Sequence, residues 1–234
     1  MCIRDRHIII EVMKGVPSTL VIAIVAMIVG LLVGTLFAII RLNHIPVLSQ
    51  LIVVYNSFFR STPLIVQLLM FYYGIPAFIL LLNDTFSLGF DPDVFSLLAI
   101  ALIAFSLHAI AYLSESMRGG LQSVETTQIE AAESIGLSKW NTYRRIVLPQ
   151  ALGYALPNIE NQFIMLLKGT SLAFVIQVTE IMARSTTIAN ESYQFIPVYT
   201  VAAVLYWLLA IVLEMIFHKT EAHTSRYLDS SQAR

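Results

Sequence analysis

The sequence predicts an all-α integral membrane domain built on five transmembrane helices. Three observations carry this. Apolar residues make up 57% of the chain and charged residues 12%, whereas soluble domains run at roughly 45–50% and about 25%. Mean hydropathy is +0.76. The apolar residues fall into five runs of about 20 residues or more, the length a helix needs to cross a bilayer. At 234 residues the chain makes one membrane domain and leaves no room for a second folded one. A net charge of −1 supplies no basic patch for nucleic acid. The single cysteine, Cys2, excludes an internal disulfide and any cysteine-based metal cluster.

Residues 1–14 form an N-terminal segment placed outside the membrane. Its opening MCIRDRH is charged, so it is neither a signal core nor a span, and we read it as an artefactual start. The first span covers 16–40, roughly 37 Å of helix. Gly30 and Gly34 stand four apart in it, a spacing that permits close helix contact. Glycine is also simply common in membrane helices, so the spacing alone does not decide. Arg41, Asn43, His44 and Pro46 make a polar turn.

The second span is read over 51–74 and contains RSTPLIVQ, with Arg60, Ser61, Thr62, Pro63 and Gln67. Pro63 lacks an N–H and its ring crowds the Phe59 carbonyl, so the helix should kink or partly unwind there. Irregular backbone at membrane depth is tolerated where it lines a cavity or is buried in protein, and interrupted helices are where transporters often bind cargo. A kink that only helps packing is the structural alternative. Residues 75–93 are a mixed stretch, apolar through Leu82, and the anionic part from Asn83, with Asp84, Asp91 and Asp93, is expected outside. The third span is 94–113, followed by Glu115 and Arg118, three apart and able to pair. His108 is read as a packed or hydrogen-bonded histidine.

The block EAAESIGLSKWNTYRRIVLP, within 126–149, is polar and rich in helix formers. Thr127 and Glu130 have capping-box spacing, Gly136 supplies a stop that tolerates positive φ, and Ser138 can cap a second helix. Pro149 is expected to close that helix. The fourth span follows over 155–177, with Gln162, Lys168, Gly169, Thr170 and Ser171 inside it. Residues 178–194 are read as a polar loop, 197–217 as the fifth span and 220–234 as a hydrophilic cytoplasmic tail. Positive charges set the orientation. Arg41, Arg118, Lys139, Arg144, Arg145, Lys219, Arg226 and Arg234 share one side, and the opposite loops hold only Arg184. The shared side is therefore cytoplasmic, with the N-terminus outside and the C-terminus inside a multi-pass plasma membrane protein. Arg4, Arg6 and Lys14 oppose this, and fall largely in the artefactual start.

No enzyme signature is present: there is no H-E-x-x-H, G-x-S-x-G or G-x-x-x-x-G-K-[ST]. An ATP-driven role needs its ATPase on another chain.

The central block matches E-A-A, three residues, Gly, nine residues, I-x-L-P. Glu130, Ala131, Ala132, Gly136, Ile146, Leu148 and Pro149 fill every fixed position. This resembles the cytoplasmic EAA loop of permease subunits in binding-protein-dependent ABC importers. The runs YNSFFRSTPLIVQLLMFYYGIP, AYLSESMRGGLQSV and LLKGTSLAFVIQVTEI are similar to the polar amino acid branch, of histidine, glutamine and cystine type. Ser61 stands where that branch usually has Gly. The resemblance runs from about Gly15 to Tyr227. It implies the methionine-importer-type ABC permease fold and a transmembrane domain over 15–219. It also implies a second permease subunit, same or different, an ABC ATPase dimer that binds ATP and Mg, and an extracytoplasmic amino-acid-binding protein. In this family the seven EAA-loop residues serve ATPase coupling, and the chain itself carries no cofactor, metal or catalytic residue.

Two departures bear on cargo. Relatives that move cationic amino acids often carry Glu and Asp seven residues apart in the fourth span, on one helix face. Here those positions are Gln162 and Gly169. A cationic side chain in mid-membrane would lose both counter-charges, a cost of several kcal/mol or more by the order of magnitude for unpaired burial. Glu160 lies off that face. Lys168 should face a polar partner, either the α-carboxylate of an amino acid or a protein carboxylate. The KGTSL form looks most like cystine-type permeases. The expected substrate path therefore runs past Arg60, Ser61, Thr62, Pro63, Gln67, Gln162, Lys168, Gly169, Thr170 and Ser171. The expected function is import of polar or sulfur-containing amino acids. The competing class is a self-powered secondary amino-acid transporter, which would dispense with the docking hairpin and normally shows internal repeats.

Overall fold

The computed structural model describes residues 2–232, with side chains described over 7–219. Helix α1 (Cys2–Met13) turns at Gly15 into α2 (Val16–Leu42), whose Pro17 sits in the first turn, where its missing N–H costs nothing. Then come α3 (Leu48–Ser61), α4 (Leu64–Phe86) and α5 (Leu97–Gln122). The polar block forms α6 (Thr126–Ser134) and α7 (Lys139–Thr142), and α7 passes through a wide turn at Tyr143–Val147 into α8 (Leu148–Gly169). A tightened 3-10 segment, Thr170–Ile176, leads to α9 (Ile181–Ser192) and α10 (Phe195–Gln232). Five described helical segments are long and apolar enough to cross a membrane: His7–Leu42, Leu64–Phe86, Leu97–Gln122, Lys139–Ile176 and Phe195–Lys219.

Helix α5 forms the centre of the domain, in contact with α2, α3, α4 and α8. Ala101, Ala104, Ala109 and Ala111 in it are buried, as are Phe105, Leu113 and Met117. Small residues set how near the neighbours come. A Cβ added at Gly30 would lie 2.7 Å from the Ala109 Cβ, and one at Gly34 only 2.8 Å from the Ser114 amide nitrogen. The glycine spacing in α2 is therefore a contact surface, and the rising order of the contacts makes α2 and α5 parallel. On the far side of α2, Ile24, Ile28, Leu32 and Leu36, each four residues apart, are exposed. An apolar stripe facing outward is what a helix bordered by lipid presents.

Several expectations are corrected. The kinked span over 51–74 is two helices, broken at Thr62 and Pro63, whose backbones are extended with ψ of 133° and 138°. Proline biases the residue before it away from helix and removes a donor, so the break is complete at Thr62. The spanning helix is Leu64–Phe86. It runs on through the apolar residues 75–82, with Pro76 absorbed within the helix, and takes in residues 83–86 at the start of the part expected outside.

The loop expected over 178–194 contains α9, with the Glu180 carboxylate accepting from the Met182 and Ala183 N–H groups at 2.7 Å each. In the central block the Thr127–Glu130 capping box does not form. Glu125 is the cap position, and the Thr127 hydroxyl donates to its carboxylate at 3.3 Å. Pro149 does not close a helix; it sits in the first turn of α8, and the wide turn before it carries the chain past the missing donor. Gly136 does make the turn, at φ +84°, and the Ser138 hydroxyl does accept the Asn141 N–H. Residues 220–232 continue α10 as helix rather than forming a separate tail element.

Candidate functional site: a cavity at the helix break and a polar hairpin

The extended break between α3 and α4 leaves a gap that the neighbouring helices do not fill. A cavity of about 600 Å³ opens there. Arg60, Ser61, Thr62 and Pro63 line one wall, His108 and Tyr112 of α5 a second, and Gln162, Lys168, Gly169 and Ser171 the third. Eight of the ten residues expected on the path thus meet around one space. A Cβ at Gly169 would lie 3.4 Å from Leu64, an ordinary contact, so this part of the wall has room for a side chain.

Gln67 and Thr170 are not on the wall. Both are fully buried. The Thr170 hydroxyl donates back to the Leu167 carbonyl at the end of α8, at 2.7 Å. Gln67 holds the break together. Its amide nitrogen donates to the carbonyls of Phe59 (2.8 Å) and Thr62 (2.9 Å), and its amide oxygen faces His108 Nδ1 at 3.1 Å. The Arg60 guanidinium lies over the Tyr112 ring, 5.7 Å from its centre, and the Tyr112 hydroxyl donates to the Arg60 carbonyl at 3.3 Å. That contact holds a cation at the rim without a carboxylate.

Lys168 is exposed to the cavity, and the Ser171 hydroxyl donates to its carbonyl at 2.8 Å. Among the described residues no carboxylate lies within ion-pairing distance of Lys168. Glu160 is not on the wall, in keeping with its position off the Gln162 face. Among the described residues, no Asp or Glu lines the cavity. The lining carries cations and neutral dipoles, and suits a ligand that brings its own negative charge.

An adjoining space of about 440 Å³ shares Arg60, Ser61 and Tyr112 with the first and reaches Glu115. Glu115 pairs with Arg118 at 2.9 Å, as its spacing predicts. It also accepts from Arg41 of α2 and, at 3.1 Å, from Asn56 of α3. Sequence reasoning missed Arg41 and Asn56 because both are far from Glu115 along the chain. It also missed His108 and Tyr112 as wall residues, since neither carries a motif. The only available signal was that each shares a face of α5 with buried small residues.

The polar hairpin stands apart from this cavity. Glu130 and Ala131 are exposed, whereas Ala132 is buried against its own chain. Gly136 is exposed at the turn, with the Ile135 side chain 80% and Trp140 72% exposed beside it. Leu148 packs on the core, Pro149 is exposed, and Ile146 is half-buried, its carbonyl accepting from Gln150 at 3.2 Å. Gln150 also donates to Gln128 at 2.7 Å and so ties α6 to α8. Two large apolar side chains held in the open at the tip of a charged hairpin lack a partner among the described residues.

Comparison with known proteins agrees with this architecture. Residues 27–224 match the family model for the binding-protein-dependent transport system inner membrane component. The "Probable amino-acid permease protein YxeN" of Bacillus subtilis (strain 168) is 40% identical over 203 residues, covering 87% of this chain and 86% of that protein. The L-cystine transport system permease protein TcyL of the same organism is 40% identical over 205 residues, covering 88% and 83%. A solved amino acid ABC transporter with histidines superimposes with a TM-score of 0.75 at 25% identity, covering 91% of this chain and 94% of that one. The inward-facing MetNI methionine ABC transporter shares the fold, with a TM-score of 0.74 at 17% identity over 91% and 95% of the two chains. The chain belongs to the binding-protein-dependent transport system inner membrane components, the permease subunits of ABC transporters.

Proposed function

We propose that this chain forms the translocation path of an ATP-driven importer for polar or sulfur-containing amino acids, with cystine the first cargo to test. ATP and Mg bind on a partner ATPase dimer, a second permease subunit completes the membrane core, and an extracytoplasmic binding protein delivers the cargo. The polar hairpin transmits the ATPase movement. Its side of the membrane is cytoplasmic by the distribution of Lys and Arg, which puts the N-terminus outside.

The observation that carries this reading is the tip of the hairpin. Ile135 and Trp140 are almost fully solvated there, on either side of a glycine in the left-handed region. Exposed apolar side chains on a helix are the anchors by which one helix seats in the groove of another protein. The cargo class is supported by the cavity, which offers Lys168, Arg60 and neutral polar groups but no carboxylate. It is supported also by the cystine system of the similar permease TcyL.

The test is uptake by the assembled complex in proteoliposomes with internal or external ATP. Substituting Glu130→Ala or Gly136→Val abolishes ATP-driven uptake while the protein still reaches the membrane. Full uptake in both variants would sink the docking role of the hairpin.

A further inference from the structure

We propose that His108 accepts a hydrogen bond from the α-ammonium group of the cargo, and that Gln67 fixes the ring in the tautomer able to do so. This rests on the proposed amino-acid cargo and adds the residue that recognises its amino group.

The argument starts at Gln67, whose side chain is fully buried. Its amide nitrogen lies 2.8 Å from the Phe59 carbonyl oxygen and 2.9 Å from that of Thr62. Carbonyl oxygens only accept, so the atom facing both must be the NH2 group, and the amide cannot be flipped. The atom facing His108 is therefore the amide oxygen, which also only accepts. His108 Nδ1, 3.1 Å from it, must carry a proton and donate. A neutral imidazole with its proton on Nδ1 has a lone pair on Nε2. That nitrogen has no hydrogen-bond partner among the described residues and is not sealed inside the protein. The ring stands on the cavity wall, with the Tyr112 ring 4.8 Å away, centre to centre.

The cavity needs such a group. An amino acid brings a carboxylate and an ammonium. Lys168 and Arg60 answer the first, but no carboxylate lines the space to answer the second. An ammonium donates and never accepts, so with no carboxylate present a hydrogen bond to it needs a lone pair on the wall. The locked imidazole nitrogen supplies one without adding a negative charge beside Lys168. The break at Pro63 thus does two things: it opens the cavity, and through Gln67 it sets which face of the histidine the cavity meets.

The test is equilibrium binding to the purified complex without the binding protein, so that the permease alone determines affinity. The probes are tritium-labelled standard L-amino acids and L-cystine and, for each that binds, the same molecule lacking its α-amino group as competitor. The unsubstituted complex prefers the amino form. In His108→Phe that preference falls by about tenfold or more, the usual scale for a hydrogen bond to a charged group, while affinity for the deaminated competitor stays the same. His108→Gln, which keeps an acceptor, restores most of the preference. An unchanged preference in His108→Phe overturns the role of His108. Equal loss of both forms in His108→Phe and His108→Gln also overturns it, by showing the ring to be a structural part only. If no amino acid binds the unsubstituted complex, the cargo reading itself falls, and this inference with it.

Discussion

The Gln67 side-chain amide sits 2.8 Å from the Phe59 carbonyl oxygen, the acceptor that Pro63 leaves without its helical donor. In a continuous helix the N–H four residues on would fill that position, and Pro63 has none. The Thr62 carbonyl, orphaned by the same break, takes the second amide proton at 2.9 Å. One buried side chain thus replaces two lost backbone bonds at membrane depth, where water cannot. Gln67→Leu, close in volume, therefore leaves two carbonyls unsatisfied at a cost of about 2–4 kcal/mol. Thermal denaturation of the purified protein in detergent measures this. Gln67→Glu recovers at most one of the two bonds, since a carboxyl has at most one proton to give. A melting point unchanged in both variants would show that the break is held by something else.

Adjacent glycines in α5 separate close approach from helix propensity. A Cβ at Gly120 would fall 2.4 Å from the Ala151 carbonyl oxygen of α8, whereas one at Gly119 meets nothing within 4 Å. Gly120→Ala forces α5 and α8 apart and destabilises by about 1–3 kcal/mol. Gly119→Ala is neutral or stabilises by up to about 1 kcal/mol, since it removes a glycine from a helix interior. Matched melting curves decide it, and the packing account fails if the two variants shift alike.

These two cases mark where the sequence was legible. The order of spans followed from hydropathy, because transfer into lipid is decided by each segment's own residues. The turn at Gly136 and the cap at Ser138 were readable because both are local. What failed were features whose partners are distant or whose breaks are complete. Helix α9 looked like a loop because its residues are polar. Its stability comes partly from Glu180, a cap that also meets Tyr206 in a helix far along the chain. The second span was placed too early because Pro63 was expected to bend one helix, whereas it separates two. At the cavity, residues carrying motifs were found from their motifs. His108 and Tyr112 enter only because α5 brings them there, and Gln67 turned from a wall residue into the support behind the wall.

The third wall of the cavity predicts how cargo choice changes. Gln162 and Gly169 both line it, seven residues apart on α8. Gln162→Glu combined with Gly169→Asp adds two negative charges to a wall that has none. Arginine or lysine then competes for uptake about tenfold better or more, a gain of about 1.4 kcal/mol, and competition by neutral amino acids weakens. Competition assays in proteoliposomes read this directly. An unchanged ligand profile would remove this wall from the cargo site.

Glu180 gives a pH dependence whose sign can be worked out. The side chain is fully buried at the start of α9, outside the spanning helices. Burial pushes its carboxyl up from the ordinary value of 4.5, and the N–H of Met182, the Tyr206 hydroxyl and the N–H of Ala183 oppose that shift without cancelling it. A carboxyl whose folded pKa exceeds its unfolded one favours folding while protonated. Its contribution is fully present below the unfolded value and is lost as pH rises through the folded one. The contribution of Glu180 to stability therefore falls as pH rises above 4.5, with a slope from this group of at most about 1.4 kcal/mol per pH unit. Glu180→Gln cannot ionise, so its own stability lacks this slope, and the advantage of the unsubstituted protein narrows as pH rises. Melting curves of both proteins across that window make the comparison. An advantage that widens with pH would mean that the charged form is the one the fold prefers, with the three donors outweighing the loss of water.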